Sequence, residues 1–174
     1  MYMKYIFPIL LALLIVACSN DNSKTGVDSM NSDTTVVADF NSPIGGVYGF
    51  GDDAQTGPVG SIIIYPESDS TFLFYLDFTR GAPSFNMAQL AERGEIIGDT
   101  GIYYSEMPDA DQYCKIKFYF RKDFVQIENI DRDCGFGANC MIDHVYDRKS
   151  SAVPQFYINP ENDTVYFRDL AKEL

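Results

Sequence analysis

The sequence predicts an all-β protein, an antiparallel meander that closes fully or partly into a small barrel of about eight strands, with a C-terminal hairpin. Short segments of alternating apolar and polar residues recur along residues 46–174, separated by turns rich in Gly, Pro, Asn and Asp. The chain also holds 13 Phe and 12 Tyr, and aromatic residues fill pleated β surfaces well. Helical periodicity is nearly absent from this part of the chain.

Residues 1–17 are typical of a signal peptide. Lys4 precedes an uncharged apolar run, Tyr5–Ala17, which is shorter than the roughly 20 residues that span a bilayer. The run ends in Ile15–Cys18, which resembles the lipobox of bacterial lipoprotein precursors, in which the cysteine becomes lipidated. Cys18 is therefore the predicted membrane anchor, since two or more acyl chains hold a protein stably. A plain secretory signal with a chance cysteine is the alternative.

Residues 18–45 are predicted to be a flexible polar tether between the anchor and one folded domain, residues 46–174. The tether is rich in Ser, Asn, Asp and Thr and has little apolar periodicity. A flexible chain of this length holds a domain roughly 30 Å from the lipid. Ser19 occupies the position where many inner-membrane lipoproteins carry Asp, which favours the outer membrane of the cell envelope as the location.

The acidic balance of the chain restricts its partners. Asp and Glu number 25 against 13 Lys and Arg, giving a net charge of −12. Such a chain is repelled by nucleic acid and by anionic lipid, so the predicted contact with the membrane is through the lipid anchor alone. An envelope protein or a basic protein such as a lysozyme is the predicted partner.

The first half of the domain is predicted to form five strands. Residues 71–79 alternate, and residues 51–60 are rich in turn-forming Gly, Asp and Pro. Residues 86–97 are ambiguous, because three apolar residues there have helical spacing. Barely two helical turns would fit, which favours a strand. The predicted strands are Val47–Phe50, Ser61–Tyr65, Thr71–Thr79, Asn86–Ile97 and Gly101–Glu106.

The second half contains the clearest alternation of the chain, residues 113–121, which is typical of a half-buried antiparallel strand. Arg121–Asp123 is the predicted turn into the next strand. Asn159–Asp163 has strong turn chemistry and lies between two short β segments, which predicts the C-terminal hairpin. The predicted strands are Tyr113–Arg121, Phe124–Ile130, Cys140–Arg148, Gln155–Ile158 and Thr164–Phe167.

Three cysteines follow Cys18, and export to an oxidising compartment permits a disulfide between two of them. A Cys114–Cys134 bridge is favoured, because it ties the start of one hairpin strand to the loop that leaves its partner. Cys140 is then a free thiol, of the buried and inert kind that is more common than a reactive one. A Cys134–Cys140 bridge is the alternative, with Cys114 as a core residue.

Residues 104–149 contain a recognisable set of segments: Cys114–Phe120, Val125–Ile127, Cys134–Asn139, Asp143 and Tyr146. This set resembles a pattern found in small, uncharacterised bacterial lipoproteins and secreted proteins. This chain departs from the pattern at Cys140, where the pattern has an apolar residue, and at His144, where it has glycine. The resemblance implies a β-barrel-like domain and a bridge between Cys114 and Cys134, and it implies no activity.

His144 is the only histidine, so a Ser/His/Asp or Cys/His catalytic device would need it beside Asp143, Asp147 or Cys140. A structural histidine is the favoured interpretation. One histidine and three cysteines also make a poor zinc ligand set, so no metal and no cofactor is predicted. The carboxylate pairs are interpreted as solvated acids, because nothing fixes their separation: Glu92 with Glu95, and Glu106 with Asp109.

Three functional hypotheses follow from these features. The leading one is a non-enzymatic binding module, anchored in the envelope, that presents loops or an outer barrel face. The second is a lysozyme-inhibitor-like protector, whose acidic loop would enter a basic enzyme cleft. The third is an enzyme that uses carboxylates or Cys140, although no catalytic residue is assigned.

Overall fold

The computed structural model of the chain describes residues 44–107, 112–131 and 134–174. The predicted signal peptide, the predicted lipidation site Cys18 and all but the end of the predicted tether lie outside the described residues. The elements are β1 (Gly46–Phe50), β2 (Val59–Pro66), β3 (Thr71–Thr79), β4 (Met87–Ile97), β5 (Thr100–Met107), β6 (Gln112–Phe120), β7 (Phe124–Asp131), β8 (Val145–Ser150), β9 (Phe156–Ile158), β10 (Thr164–Tyr166) and α1 (Phe167–Glu173).

Strands β1 to β8 form a closed antiparallel barrel in sequence order, which confirms the predicted fold class. The barrel closes between β1 and β8 through pairs that include Val47 with Ser150 and Tyr48 with Arg148. Closure satisfies backbone groups that the two edges of an open sheet would expose. The predicted C-terminal hairpin is also confirmed: β9 and β10 form a separate two-stranded antiparallel sheet. The ambiguous residues 87–97 are a strand, as favoured.

Every second residue of each strand points into the barrel, and most of these inward-facing side chains are apolar, so they fill its interior. Phe72, Phe74 and Phe118 are fully buried there, and the Phe72 and Phe118 rings meet edge to face with centroids 5.2 Å apart. Gly94 and Gly101 lie so close to the Phe72 ring that a Cβ atom on either would overlap it. The two glycines therefore make room for a large ring, and the interior is a packed core.

A second apolar cluster lies outside the barrel, where β9, β10 and α1 cover the outer face of β3. Leu73 and Tyr75 point away from the interior, yet they are only 0% and 8% exposed. They pack with Tyr157, Phe167 and Leu170, and these five residues are called the outer cluster below. The Tyr75 and Tyr157 rings stack with centroids 4.1 Å apart. The sequence does not predict α1, because its seven residues show too few turns for a periodic pattern.

Arg93 of β4 joins this covering segment to the barrel. Its guanidinium donates from Nε and Nη2 to the two carboxylate oxygens of Glu67, each at 2.8 Å. Nη2 also donates to the carbonyl oxygen of Ala171 in α1 at 2.8 Å. Bidentate pairing fixes the guanidinium plane, so Arg93 orients the helix against the outer wall.

One end of the barrel is covered by residues 134–144, and here one sequence prediction is wrong. The predicted strand Cys140–Arg148 begins only at Val145. Asp143 accepts a bond from the Asn129 N–H at 2.9 Å, so a side chain replaces a backbone carbonyl of the ladder. The Tyr146 hydroxyl donates to the Ile142 carbonyl at 3.2 Å, and the Ile142 side chain is fully buried in the barrel interior. These contacts turn the chain inward instead of continuing the strand.

In the described parts of the chain, no helix is both long and apolar enough to cross a bilayer.

Candidate functional site

A cleft of about 650 Å³ opens at the other end of the barrel, where β1 begins and β8 ends. Two tight turns form its sides: Gly98 and Asp99 connect β4 to β5, and Arg121–Asp123 connects β6 to β7. Gly98 has a φ of +67°, a conformation that glycine adopts without strain and that returns the chain sharply into β5. The cleft is thus built by elements that are distant in the sequence.

The floor of the cleft is apolar, because it is the last layer of inward-facing side chains. Phe120 ends β6 and is 7% exposed, while Ile96 near the end of β4 is half-buried. Ile44, just before β1, packs against the same core. Apolar atoms of these three residues therefore line the cleft and can contact a ligand.

Arg148 of β8 holds the rim of the cleft together. Its Nε donates to the Lys122 carbonyl at 2.8 Å and its Nη1 to the Gly45 carbonyl at 2.7 Å. The guanidinium carbon also lies 4.7 Å from the centre of the Tyr48 ring, within cation–π range. Burial raises the pKa of Tyr48 and the nearby Arg148 opposes that rise, so the phenol stays neutral at ordinary pH. Arg148 therefore fixes the start of β1 and the β6–β7 turn relative to β8.

The rim carries more positive than negative charge. Arg121, Lys122 and Arg148 line it against Asp99 and Asp123. Arg121 Nη1 lies 3.1 Å from Asp99 Oδ2, a pair whose side chains are well exposed and therefore weakly coupled. Among the described residues, none forms an ion pair with the exposed Lys122 ammonium. A cationic excess on a chain of net charge −12 marks this rim as a local exception.

The predicted disulfide is confirmed: Cys114 and Cys134 are bonded with an S–S distance of 2.03 Å. It lies at the opposite end of the barrel from the cleft. Cys140 is the cysteine of the described residues that is outside a disulfide, and it is half-buried. Burial raises the pKa of the Cys140 thiol, and Arg80 opposes that rise. A raised pKa leaves little thiolate, the form that reacts with electrophiles and oxidants.

His144 packs as an aromatic residue beside the same covered end. Its ring stacks on Phe50 with centroids 4.2 Å apart. Burial lowers the pKa of His144, while Asp143 and a backbone hydrogen bond at Met141 oppose the change. The imidazole is therefore neutral at pH 7 and serves packing. In the described ranges, no group of three or more His, Cys, Asp and Glu side chains is placed to hold a metal ion.

Comparison of the chain with protein-family models, with curated proteins and with solved structures found no match. The resemblance to small bacterial lipoproteins with a Cys-Gly-Phe-Gly run stays a prediction, as does lipidation at Cys18.

The sequence analysis did not predict the cleft residues as a site, although it did predict one of the turns that form the cleft. The sequence predicts the turn Arg121–Asp123, and it places the apolar Phe120 directly before that turn. Nothing local indicates that Ile96, Asp99 and Arg148 lie beside it. The pairing of β5 with β6 and of β7 with β8 brings Asp99 and Arg148 to this turn, and closure of β1 on β8 adds Ile44.

Proposed function

We propose that this protein is a non-enzymatic, lipid-anchored binding module of the cell envelope, whose barrel-end cleft binds small amphipathic anions. One observation carries the proposal: an apolar cleft of about 650 Å³ has a rim with more cations than carboxylates. Ligand sites are mostly apolar cavities of about 300–1,000 Å³ with a few polar groups that orient the ligand. The apolar body would lie on Phe120 and Ile96, and its anionic group would meet Lys122 and Arg121.

The expected affinity is modest. Burying about 200 Å² of apolar ligand surface contributes about 5 kcal/mol. The lost freedom of the ligand offsets part of this gain, so we expect dissociation constants of about 1 mM. Such affinity suits capture of an abundant amphiphile near a membrane, where the predicted anchor at Cys18 and the tether would hold the domain.

The test is a calorimetric titration of the mature chain with decanoate, with decyltrimethylammonium as the cationic control and decanol as the neutral one. We expect saturable binding of decanoate with a weaker response to the neutral compound. Equal or stronger binding of the cationic compound at this cleft would contradict the proposal. Amide chemical shifts of Ile96, Phe120 and Lys122 locate the binding.

A matched pair of variants isolates the role of the rim. Lys122→Glu reverses a charge that lines the cleft, and we expect it to weaken decanoate binding about 3- to 10-fold, as reversing an exposed pair does. Lys115→Glu makes the same change on the outer face of β6, near the disulfide end of the barrel, and is expected to leave the affinity unchanged. If the two variants weakened decanoate binding equally, the anion would be attracted by the overall charge of the protein and not by the cleft rim.

The lysozyme-inhibitor hypothesis is a second candidate, favoured by two exposed acids on the loop between β1 and β2. Asp52 and Asp53 protrude there, and the whole chain is acidic enough to attract a basic enzyme. A lysozyme assay tests it: inhibition at micromolar protein that Asp52→Asn with Asp53→Asn abolishes is the expected result. Undiminished lysozyme activity at that concentration rejects it.

A further inference from the structure

The barrel wall opens between β4 and β5. These strands pair through only three residue pairs, Glu95 with Ile102, Ile96 with Gly101 and Ile97 with Thr100. Residues 87–94 of β4 pair with β3 alone, and residues 103–107 of β5 pair with β6 alone, within the described residues. A cavity of about 420 Å³ lies along this opening, called the seam below.

Glu92 projects from β4 toward the barrel interior at the seam. It lies directly opposite Phe74 in the β3–β4 ladder, and opposite residues of a ladder share one face of the sheet. Phe74 is fully buried in the interior core, and Leu90 and Ile96 on the same face of β4 pack against that core. A carboxylate thus occupies one position of an otherwise apolar inward face, where it is half-buried.

Among the described residues, no Lys or Arg side chain forms an ion pair with Glu92. Arg93 also lines the cavity, but Glu67 and the Ala171 carbonyl hold its guanidinium. Burial raises the pKa of Glu92, and a hydrogen bond from the Arg93 backbone N–H opposes that rise. A cation placed beside a half-buried carboxylate would stabilise its charged form more than a cation beside a fully hydrated carboxylate does.

Two tyrosines line the same cavity. Tyr103 is 6% exposed and its ring meets the Phe74 ring edge to face with centroids 5.6 Å apart. Burial raises the pKa of Tyr103, and a hydrogen bond with Ser105 opposes that rise. The negative charge of Glu92 raises this pKa further, so the phenol and the carboxylate interact electrostatically. Tyr104 is 51% exposed at the mouth of the cavity. Tyrosine faces attract organic cations, most strongly where water is partly excluded.

We infer that the seam is a second binding site, for a small organic cation of the ammonium class. The cation would enter between β4 and β5 past Tyr104, place its charge beside Glu92 and contact the ring of Tyr103. Strand pairing that stops after three residue pairs leaves the space, and an inward carboxylate supplies the charge. This site is separate from the barrel-end cleft and has the opposite charge preference, so neither proposal depends on the other.

Choline and its neutral carbon isostere, 3,3-dimethylbutan-1-ol, test the inference on the mature chain. The two probes have the same shape and differ in charge. We expect choline to shift the amide resonances of residues 92–95 and 103–105 saturably in the millimolar range, with the neutral isostere at least about tenfold weaker. Equal responses to the two probes, or choline shifts that lie elsewhere, would overturn the inference.

Matched variants assign the effect to Glu92. Glu92→Gln keeps the shape of the side chain and is expected to weaken choline binding about tenfold or more. Glu128→Gln removes an exposed carboxylate on β7, outside the cavity, and is expected to change binding less than twofold. The reverse ranking would refute the role of Glu92. Folding is checked by the dispersion of the amide spectrum, and decanoate binding at the other site should be unchanged in both variants.

Discussion

The barrel interior and the outer cluster are both buried and rich in aromatic rings, but they are stabilised in different ways. Interior side chains such as Phe74 and Phe118 come from the eight strands that close into a cylinder. The outer cluster depends on β9, β10 and α1, and in the described part of the chain these two strands pair only with each other. Unpacking the interior core therefore requires several barrel strands to separate, whereas the covering segment can leave its cluster by a local opening.

The largest expected effect is that of Phe74→Ala in the interior. Phe74 is fully buried and its ring contacts the rings of Phe118 and Tyr103, with centroids 4.9 and 5.6 Å away. Truncation leaves a cavity that a closed barrel cannot collapse, so we expect a loss of about 3–5 kcal/mol in the free energy of unfolding. Urea denaturation measures this loss. A loss smaller than about 1 kcal/mol would contradict the view that the interior is one rigid core.

Loss of the Cys114–Cys134 disulfide is expected to cost somewhat less. The two cysteines are separated by 20 residues, which corresponds to about 3 kcal/mol in the chain-entropy model. We expect the double variant Cys114→Ser with Cys134→Ser to show this loss by urea denaturation. Cys140→Ser is the control, since it replaces a half-buried thiol without breaking a covalent loop. If this variant lost as much unfolding free energy as the double variant, replacement of packed sulfur by a hydroxyl, and not loss of the bond, would explain the effect.

A smaller and more local effect is expected for Phe167→Ala in the outer cluster. Phe167 is fully buried and its ring stacks on Tyr65 with centroids 5.1 Å apart. We expect a global loss of only about 1–2 kcal/mol, because the free energy of local opening sets the limit. Hydrogen exchange should quicken in residues 156–173 and stay unchanged in β6 and β7. Equal acceleration in both regions would show that the two clusters unfold together.

The smallest effect concerns pH and Glu92. A carboxyl group whose pKa is raised on folding stabilises the fold when protonated, and this contribution is lost as the pH rises from the ordinary pKa through the raised one. Glu92→Gln should therefore stabilise the protein above that range, by less than about 1 kcal/mol because solvent screens the half-exposed group. Below the range the two proteins should be equally stable. A gain that persists there would show that the carboxylate charge is not its cause.

The sequence predicted the interior core better than the outer cluster. The alternation of residues 113–121 identifies both the strand and its inward face, and the structure places Cys114, Ile116, Phe118 and Phe120 there. The same alternation in β3 indicates only that Leu73 and Tyr75 lie on the other face. Whether that face meets water or protein depends on a segment some 80 residues later in the chain. No periodic pattern in β3 contains that information.

Two other differences have related causes. Glu92 was interpreted as a solvated acid, but the β3–β4 register places it on the inward face, where the seam partly exposes it. Cys140–His144 was expected to continue a strand, yet Asp143 and Tyr146 form side-chain hydrogen bonds that end the ladder. In both places the residue that decides the outcome lies on another strand: Phe74 of β3 opposite Glu92, and Asn129 of β7 bonded to Asp143.

The sequence alone determined most of the strand segments, the inward faces of the clearly alternating strands and the turns between them, because these follow from a period of two residues and from local turn chemistry. The tertiary structure decided that β1 and β8 close the barrel, that β4 and β5 separate after three pairs, and that Arg148 stands beside the β6–β7 turn. These features depend on contacts between strands, which the local pattern of one strand does not specify. Both proposed sites consist of such contacts, and for that reason neither could be found in the sequence.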